Sequence, residues 1–152
     1  ALGRAGRTDD AIACFERAMA IRPGQGPEVL TAMGNLYLKK GDQARAIASY
    51  LRALEVKPDH APAMGNAASA YSMQGAYDKA LDLLSRLREI RPDDPEVEYN
   101  MACLHARQGR VDEAVRSLRA AVEKGFDDTE LLRTDPDLEG LRETEFYQGL
   151  VH

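Results

Sequence analysis

A chain of 152 residues can form one domain or a short stack of repeated units, and its net charge of −5 argues against general nucleic-acid binding, which calls for a basic excess. No apolar run approaches the ~20 residues of a membrane span, so no membrane insertion is expected. Charged residues at 30%, abundant Ala, Leu, Arg and Glu and few β-branched residues favour helix over sheet. Cys14 and Cys103 have no CxxC partner and read as small apolar helix residues in a reducing compartment. With no targeting signal visible, a cytoplasmic location is the expectation.

Residues 1–26 begin with a pattern that returns three times. The segments GRTDDAIACFERAMAIRP, GDQARAIASYLRALEVKP, GAYDKALDLLSRLREIRP and GRVDEAVRSLRAAVEKGF align without gaps. Their glycines, Gly6, Gly41, Gly75 and Gly109, stand 35, 34 and 34 residues apart. Five residues after each comes an alanine (Ala11, Ala46, Ala80, Ala114), and four later a large apolar residue (Phe15, Tyr50, Leu84, Leu118). Three beyond that lies Ala18, Ala53, Leu87 or Ala121, and Pro23, Pro58 and Pro92 close the first three segments, with Phe126 in that place in the fourth.

Each landmark has a physical reason. A glycine that ends a helix takes the left-handed conformation most easily. Asp9, Asp10, Asp42, Asp78, Asp112 and Glu113 follow the glycines, where acids cap free N–H groups and suit the positive end of a new helix. The alanine permits close approach of neighbouring helices, and the large residue fills the space between units. Proline stops the helix and redirects the chain.

Between these segments run PEVLTAMGNLYLKKG, APAMGNAASAYSMQG and PEVEYNMACLHARQG, each ending on a repeat glycine. Small residues Gly34, Ala68 and Ala102 hold one register, and Tyr37, Tyr71 and His105 hold another three residues later. The spacing predicts a helix-turn-helix unit, repeated.

This series, small residue then Tyr, Gly, Ala, aromatic or Leu, Ala and Pro, resembles the tetratricopeptide repeat. The resemblance implies an all-α, right-handed superhelical solenoid of antiparallel helix pairs. It gives an array over 1–126 of about three and a half repeats: a half repeat at 1–26 and full repeats at about 27–60, 61–94 and 95–128. The half repeat suggests a piece of a longer array. Three departures stand out: an extra residue in the Gly24-Gln25-Gly26 turn, Glu98 in place of a large apolar residue, and His105 in place of Tyr. They are expected to loosen the last repeat's packing.

Residues 127–152 break the pattern. Short helices separated at Asp135-Pro136 carry Leu131, Leu132, Leu138, Leu141, Phe146, Tyr147, Leu150 and Val151 on an amphipathic surface. A last repeat leaves an apolar face open, so the segment is expected to be a helical cap. It also resembles the closing segment of many bacterial arrays.

Catalytic and metal motifs are absent: there is no Gly-x-Ser-x-Gly elbow, no P-loop, and no convergent set among His60, His105 and His152. Asp135-x-Asp137-x-Glu139-Gly140 resembles the start of a calcium loop, but Phe146 stands where a bidentate Glu is needed. Neither an enzyme nor a bound metal or cofactor is expected. In the fold the resemblance implies, first helices line an inner groove. Helical spacing puts Asn35, Leu38 and Lys39 there in the first full repeat, Gly65, Asn66, Ser69, Ser72 and Met73 in the second, and Tyr99, Asn100, Cys103, Ala106 and Arg107 in the third. The candidate peptide-binding residues are Asn35, Lys39, Asn66, Ser69, Met73, Tyr99, Asn100 and Arg107. A row of carboxamides can donate to and accept from an extended peptide backbone at once.

Relatives that clamp a chaperone's terminal carboxylate need cations where this chain has Thr31, Glu96 and Asn100, and Glu96 would repel a carboxylate. The expectation is therefore a scaffold that holds another protein or peptide in its groove. The alternative is a regulatory domain cut from a larger signalling protein, or a self-assembly domain that associates through open repeat ends.

Overall fold

Apolar residues spaced at helical intervals need helices to bury them, and the computed structural model has nine α-helices and one 3₁₀ helix, with no strand, among the described residues 2–22 and 26–152. These are α1 (Leu2–Ile21), α2 (Pro27–Lys39), α3 (Gln43–Val56), α4 (Ala61–Met73), α5 (Tyr77–Ile90), α6 (Pro95–Arg107), α7 (Val111–Glu123), α8 (Thr129–Thr134), a 3₁₀ helix (Pro136–Leu141) and α9 (Glu145–Val151). The expected stop at Pro23 and the extra turn residue lie outside the described residues. Among the described residues no helix is long and apolar enough to cross a membrane.

Four helices end by one device. Gly41, Gly75, Gly109 and Gly125 have φ of 80°, 75°, 71° and 102°, a region that costs other residues roughly 1–2 kcal/mol. At Gly41, its N–H donates to the Leu38 carbonyl at 2.9 Å and the Asp42 N–H reaches the Tyr37 carbonyl at 2.9 Å. This crossed pair satisfies carbonyls the helix end would leave open. The same two bonds recur at the other three glycines.

Gly6 differs. It was expected to end a helix, but α1 runs through it without a break and its φ is not positive. Continuing the helix adds a hydrogen bond per residue against a glycine cost of about 1 kcal/mol. Asp9 and Asp10 therefore lie inside α1 rather than at a helix start, and Asp9 pairs with Lys40.

The chain divides into two compact units, Ala1–Leu83 and Leu84–His152, the boundary falling within α5. In the first unit α2 pairs with α3, and α4 packs against both. Ala46, Ala53, Ala63, Ala67 and Ala70 are wholly buried at these crossings, and the Tyr50 ring fills the centre. Gly34 makes room for that ring. A Cβ there would sit 2.7 Å from Tyr50 Cδ1 and closer still to Cε1.

In the second unit α6 pairs with α7, and the C-terminal segment covers the apolar face they leave. Leu132, Leu138, Leu141 and Tyr147 join Ala102, Cys103, Ala114, Leu118 and Ala121 in one core. The Tyr147 hydroxyl donates to the Leu132 carbonyl at 2.5 Å, tying α9 to α8. Glu98 does not loosen this unit. It is 4% exposed and accepts from Lys124 Nζ at 2.7 Å, with Arg88 Nη1 at 3.8 Å. A buried carboxylate so placed needs its cations, and the sequence supplies both.

Candidate functional site

The candidate residues of the first unit begin with a buried tyrosine. Because Gly34 has no side chain, the Tyr50 ring lies against α2 and its hydroxyl donates to Asn35 Oδ1 at 2.7 Å. Burial pushes the Tyr50 hydroxyl up to about 12, so it stays a donor across the physiological range. Asn35 Oδ1 also accepts from Asn66 Nδ2 at 3.0 Å. Tyr50 thus orients Asn35, and Asn35 orients Asn66, across neighbouring helices α2 and α4. The pair still presents the Asn35 amide as a donor and the Asn66 carbonyl as an acceptor. Lys39, Ser69 and Met73 are exposed on the same two helices, Met73 at 61%. Thr31 is buried, its hydroxyl donating to the Pro27 carbonyl at 2.7 Å.

Tyr37, whose carbonyl closes the turn at Gly41, is a second internal anchor. Its hydroxyl donates to Glu16 at 2.7 Å, and burial and Glu16 raise its pKa. The Arg45 guanidinium lies 5.7 Å from the ring centroid.

The third full repeat uses its candidates differently. Tyr99 is 6% exposed, a correction to its expected place on an open groove face. Its hydroxyl donates to Asp135, and its ring stacks on Phe126 with centroids 4.4 Å apart. Arg107 is likewise engaged, with Nε 2.8 Å from Asp137 Oδ1. Spacing places Tyr99 on the groove side, but its partners Phe126 and Asp135 are 27 and 36 residues later, beyond what periodicity can register. Asn100 is exposed and lines a cleft of about 440 Å³, formed by the start of α6 and the chain from Gly125 to Leu131.

A second cleft of about 810 Å³ lies over α7 and α9. Its cations Arg116 and Arg119 are matched by Asp112 and Glu145, and Arg119 sits 4.3 Å from the Phe146 centroid.

Residues 2–135 match the family model described as the cilia and flagella-associated protein 70 C-terminal domain. The chain belongs to this tetratricopeptide-repeat family. No curated protein matches it. Among solved structures, a crystal structure of MamA superposes with a TM-score of 0.79 at 19% identity, covering 96% of this chain and 81% of that one. MamA 41-end from Desulfovibrio magneticus RS-1 gives a TM-score of 0.75 at 18% identity, covering 97% and 87%. The likeness to MamA is one of fold. As a tetratricopeptide-repeat chain, this protein is all-α and built of helix pairs, as its repeat glycines and alanines imply.

One further cluster joins α6 to the C-terminal segment. A sulfur or carboxylate oxygen from each of Cys103, Asp135 and Asp137 falls within 4.8 Å of the others. The three side chains form an internal latch. Burial, then Asp135, push the Cys103 thiol up to about 12, so it remains protonated and faces Asp135 Oδ2 at 3.8 Å. Burial and the bond to Asp135 likewise raise the Tyr99 hydroxyl. Asp135 also caps the 3₁₀ helix, accepting from the Asp137 N–H at 2.9 Å, while Arg107 neutralises Asp137. The aspartates that resemble a calcium loop thus fasten the C-terminal segment to α6.

Proposed function

We propose that this chain is a non-catalytic scaffold that holds an extended segment or a helix of a partner protein on the exposed faces of its first helices. The observation that carries this reading is the Asn35–Asn66 hydrogen bond, which occupies the Asn35 carbonyl and leaves the Asn35 amide as a donor and the Asn66 carbonyl as an acceptor on α2 and α4. An extended peptide offers a C=O and an N–H to match such a pair. Tyr50 fixes the pair before a partner arrives, so little ordering cost remains on binding. Lys39, Ser69 and the exposed Met73 flank it, and a flexible thioether adapts to varied apolar side chains. Asn100 repeats the carboxamide 34 residues on from Asn66 in the sequence.

Affinity capture from a lysate of the source organism, comparing wild type with Asn66→Ala, tests the reading. The substitution removes an exposed-face amide and should change stability by no more than about 0.5 kcal/mol. The expected result is a partner retained by the wild type and lost or strongly depleted with the variant. Equal retention by both would move the binding face away from α2 and α4.

A further inference from the structure

We propose that the cleft between the start of α6 and the α7–α8 connection is a subsite for an arginine side chain of a partner protein. This deepens the scaffold reading and rests on it. The cleft, about 440 Å³, combines an apolar floor with a single sign of charge. The half-buried Phe126, backed by the buried Tyr99 stacked on it within 7° of parallel, and Leu131, which is 37% exposed, supply the apolar floor. Glu96, Asp127 and Asp128 are exposed carboxylates among the lining residues, and no lysine or arginine lines it. Among the described residues none of the three makes an ion pair, whereas Glu98, Asp94 and Asp137 in the same unit each have a cation.

A long aliphatic stem over an aromatic floor, ending among carboxylates, is the shape of an arginine rather than of an acidic or purely apolar residue. The planar guanidinium meets carboxylates two donors at a time, stacks on aromatic rings, and is less strongly hydrated than an ammonium. Asp128 has one oxygen occupied, accepting from the Leu131 N–H at 2.9 Å, which fixes its carboxyl beside the floor. Glu96, which would repel a carboxylate, here attracts a cation.

The test uses the whole chain, ¹⁵N-labelled, titrated with the peptide acetyl-Gly-Leu-Arg-Leu-Gly-amide and with its citrulline counterpart, which keeps the shape and loses the charge. The arginine peptide should shift the amides of Glu96, Asn100, Phe126 and Leu131 and bind at least about tenfold more tightly than the citrulline peptide. Glu96→Gln with Asp127→Asn should weaken it by about tenfold or more. Both positions are exposed, so unchanged amide positions elsewhere in the spectrum report that the variant is folded.

Equal affinity for the two peptides, an unaffected double variant, or no shift at these amides up to about 5 mM peptide would each overturn the subsite. Shifts confined to residues around Asn35 and Asn66 would overturn it while leaving the scaffold reading intact. Loss of lysate binding with Asn66→Ala is a separate outcome that the cleft does not control.

Discussion

The first and third full repeats follow the same plan and give their tyrosines different partners. In the first, the interhelix knob is Tyr50, and its hydroxyl reaches outward to order Asn35 and then Asn66. In the third, the knob is Leu118, which has no hydroxyl to give, and the tyrosine of α6 turns its hydroxyl to Asp135. One repeat uses a tyrosine hydroxyl to order two carboxamides on neighbouring helices, and the other uses the same chemistry to hold its own C-terminal segment. A repeat fixes the backbone and the small-residue positions. Polar atoms on the knobs and first helices decide what each unit does.

Breaking the internal latch should have the largest effect. Asp135→Ala leaves the Tyr99 hydroxyl without its acceptor, removes the 3₁₀ cap and frees the segment that covers Leu118 and Ala121. A loss of about 3 kcal/mol is expected by urea denaturation, since hydrogen bonds to a charged group and a cap disappear together. Cysteine reactivity gives an independent reading: in the wild type a disulfide reagent should modify exposed Cys14 and spare buried Cys103, whereas Asp135→Ala should expose the second thiol.

Overfilling the first repeat comes next. Gly34→Ala forces a methyl against the rigid Tyr50 ring and should cost about 2 kcal/mol, again by denaturation. It should also displace the Tyr50 hydroxyl from Asn35, so partner binding should fall by more than stability explains. Ala102 holds the equivalent place in α6 opposite an aliphatic knob, and Ala102→Gly should change stability without touching the first-unit face.

The smallest effect concerns His105, which stands in the third repeat where the first two have Tyr37 and Tyr71. Its Nδ1 is buried without a partner among the described residues, and burial lowers its pKa from 6.5. Glu113 opposes the shift, while Arg110, Arg116 and Arg88 reinforce it. The unfolded chain therefore binds more protons than the folded one just below pH 6.5. Stability from this group is present above that pH and is lost as pH falls through and below it. His105→Tyr should flatten the stability profile between pH 7 and pH 5, measured by melting temperature.

Much of this architecture was legible in the sequence because steric demands repeat. Left-handed glycines, alanines at crossings and large knobs recur at fixed intervals, and the periodic signal survives substitution of any one. Gly6 matched the pattern but lies inside α1 with no positive φ, so the motif alone misled. The ties that distinguish the repeats were not legible. Asn35 with Tyr50, Tyr99 with Asp135 and Glu98 with Lys124 each depend on side chains meeting from separate elements, and no spacing rule encodes them. Glu98 looked like a defect because its cations lie 10 residues before it and 26 after.

The most direct test of the scaffold claim is hydrogen–deuterium exchange of the whole chain with and without a partner recovered by capture. Added protection on α2 and α4, around Asn35–Lys39 and Asn66–Met73, is the predicted result. Protection confined to α3 and α7, with α2 and α4 unchanged, would contradict it.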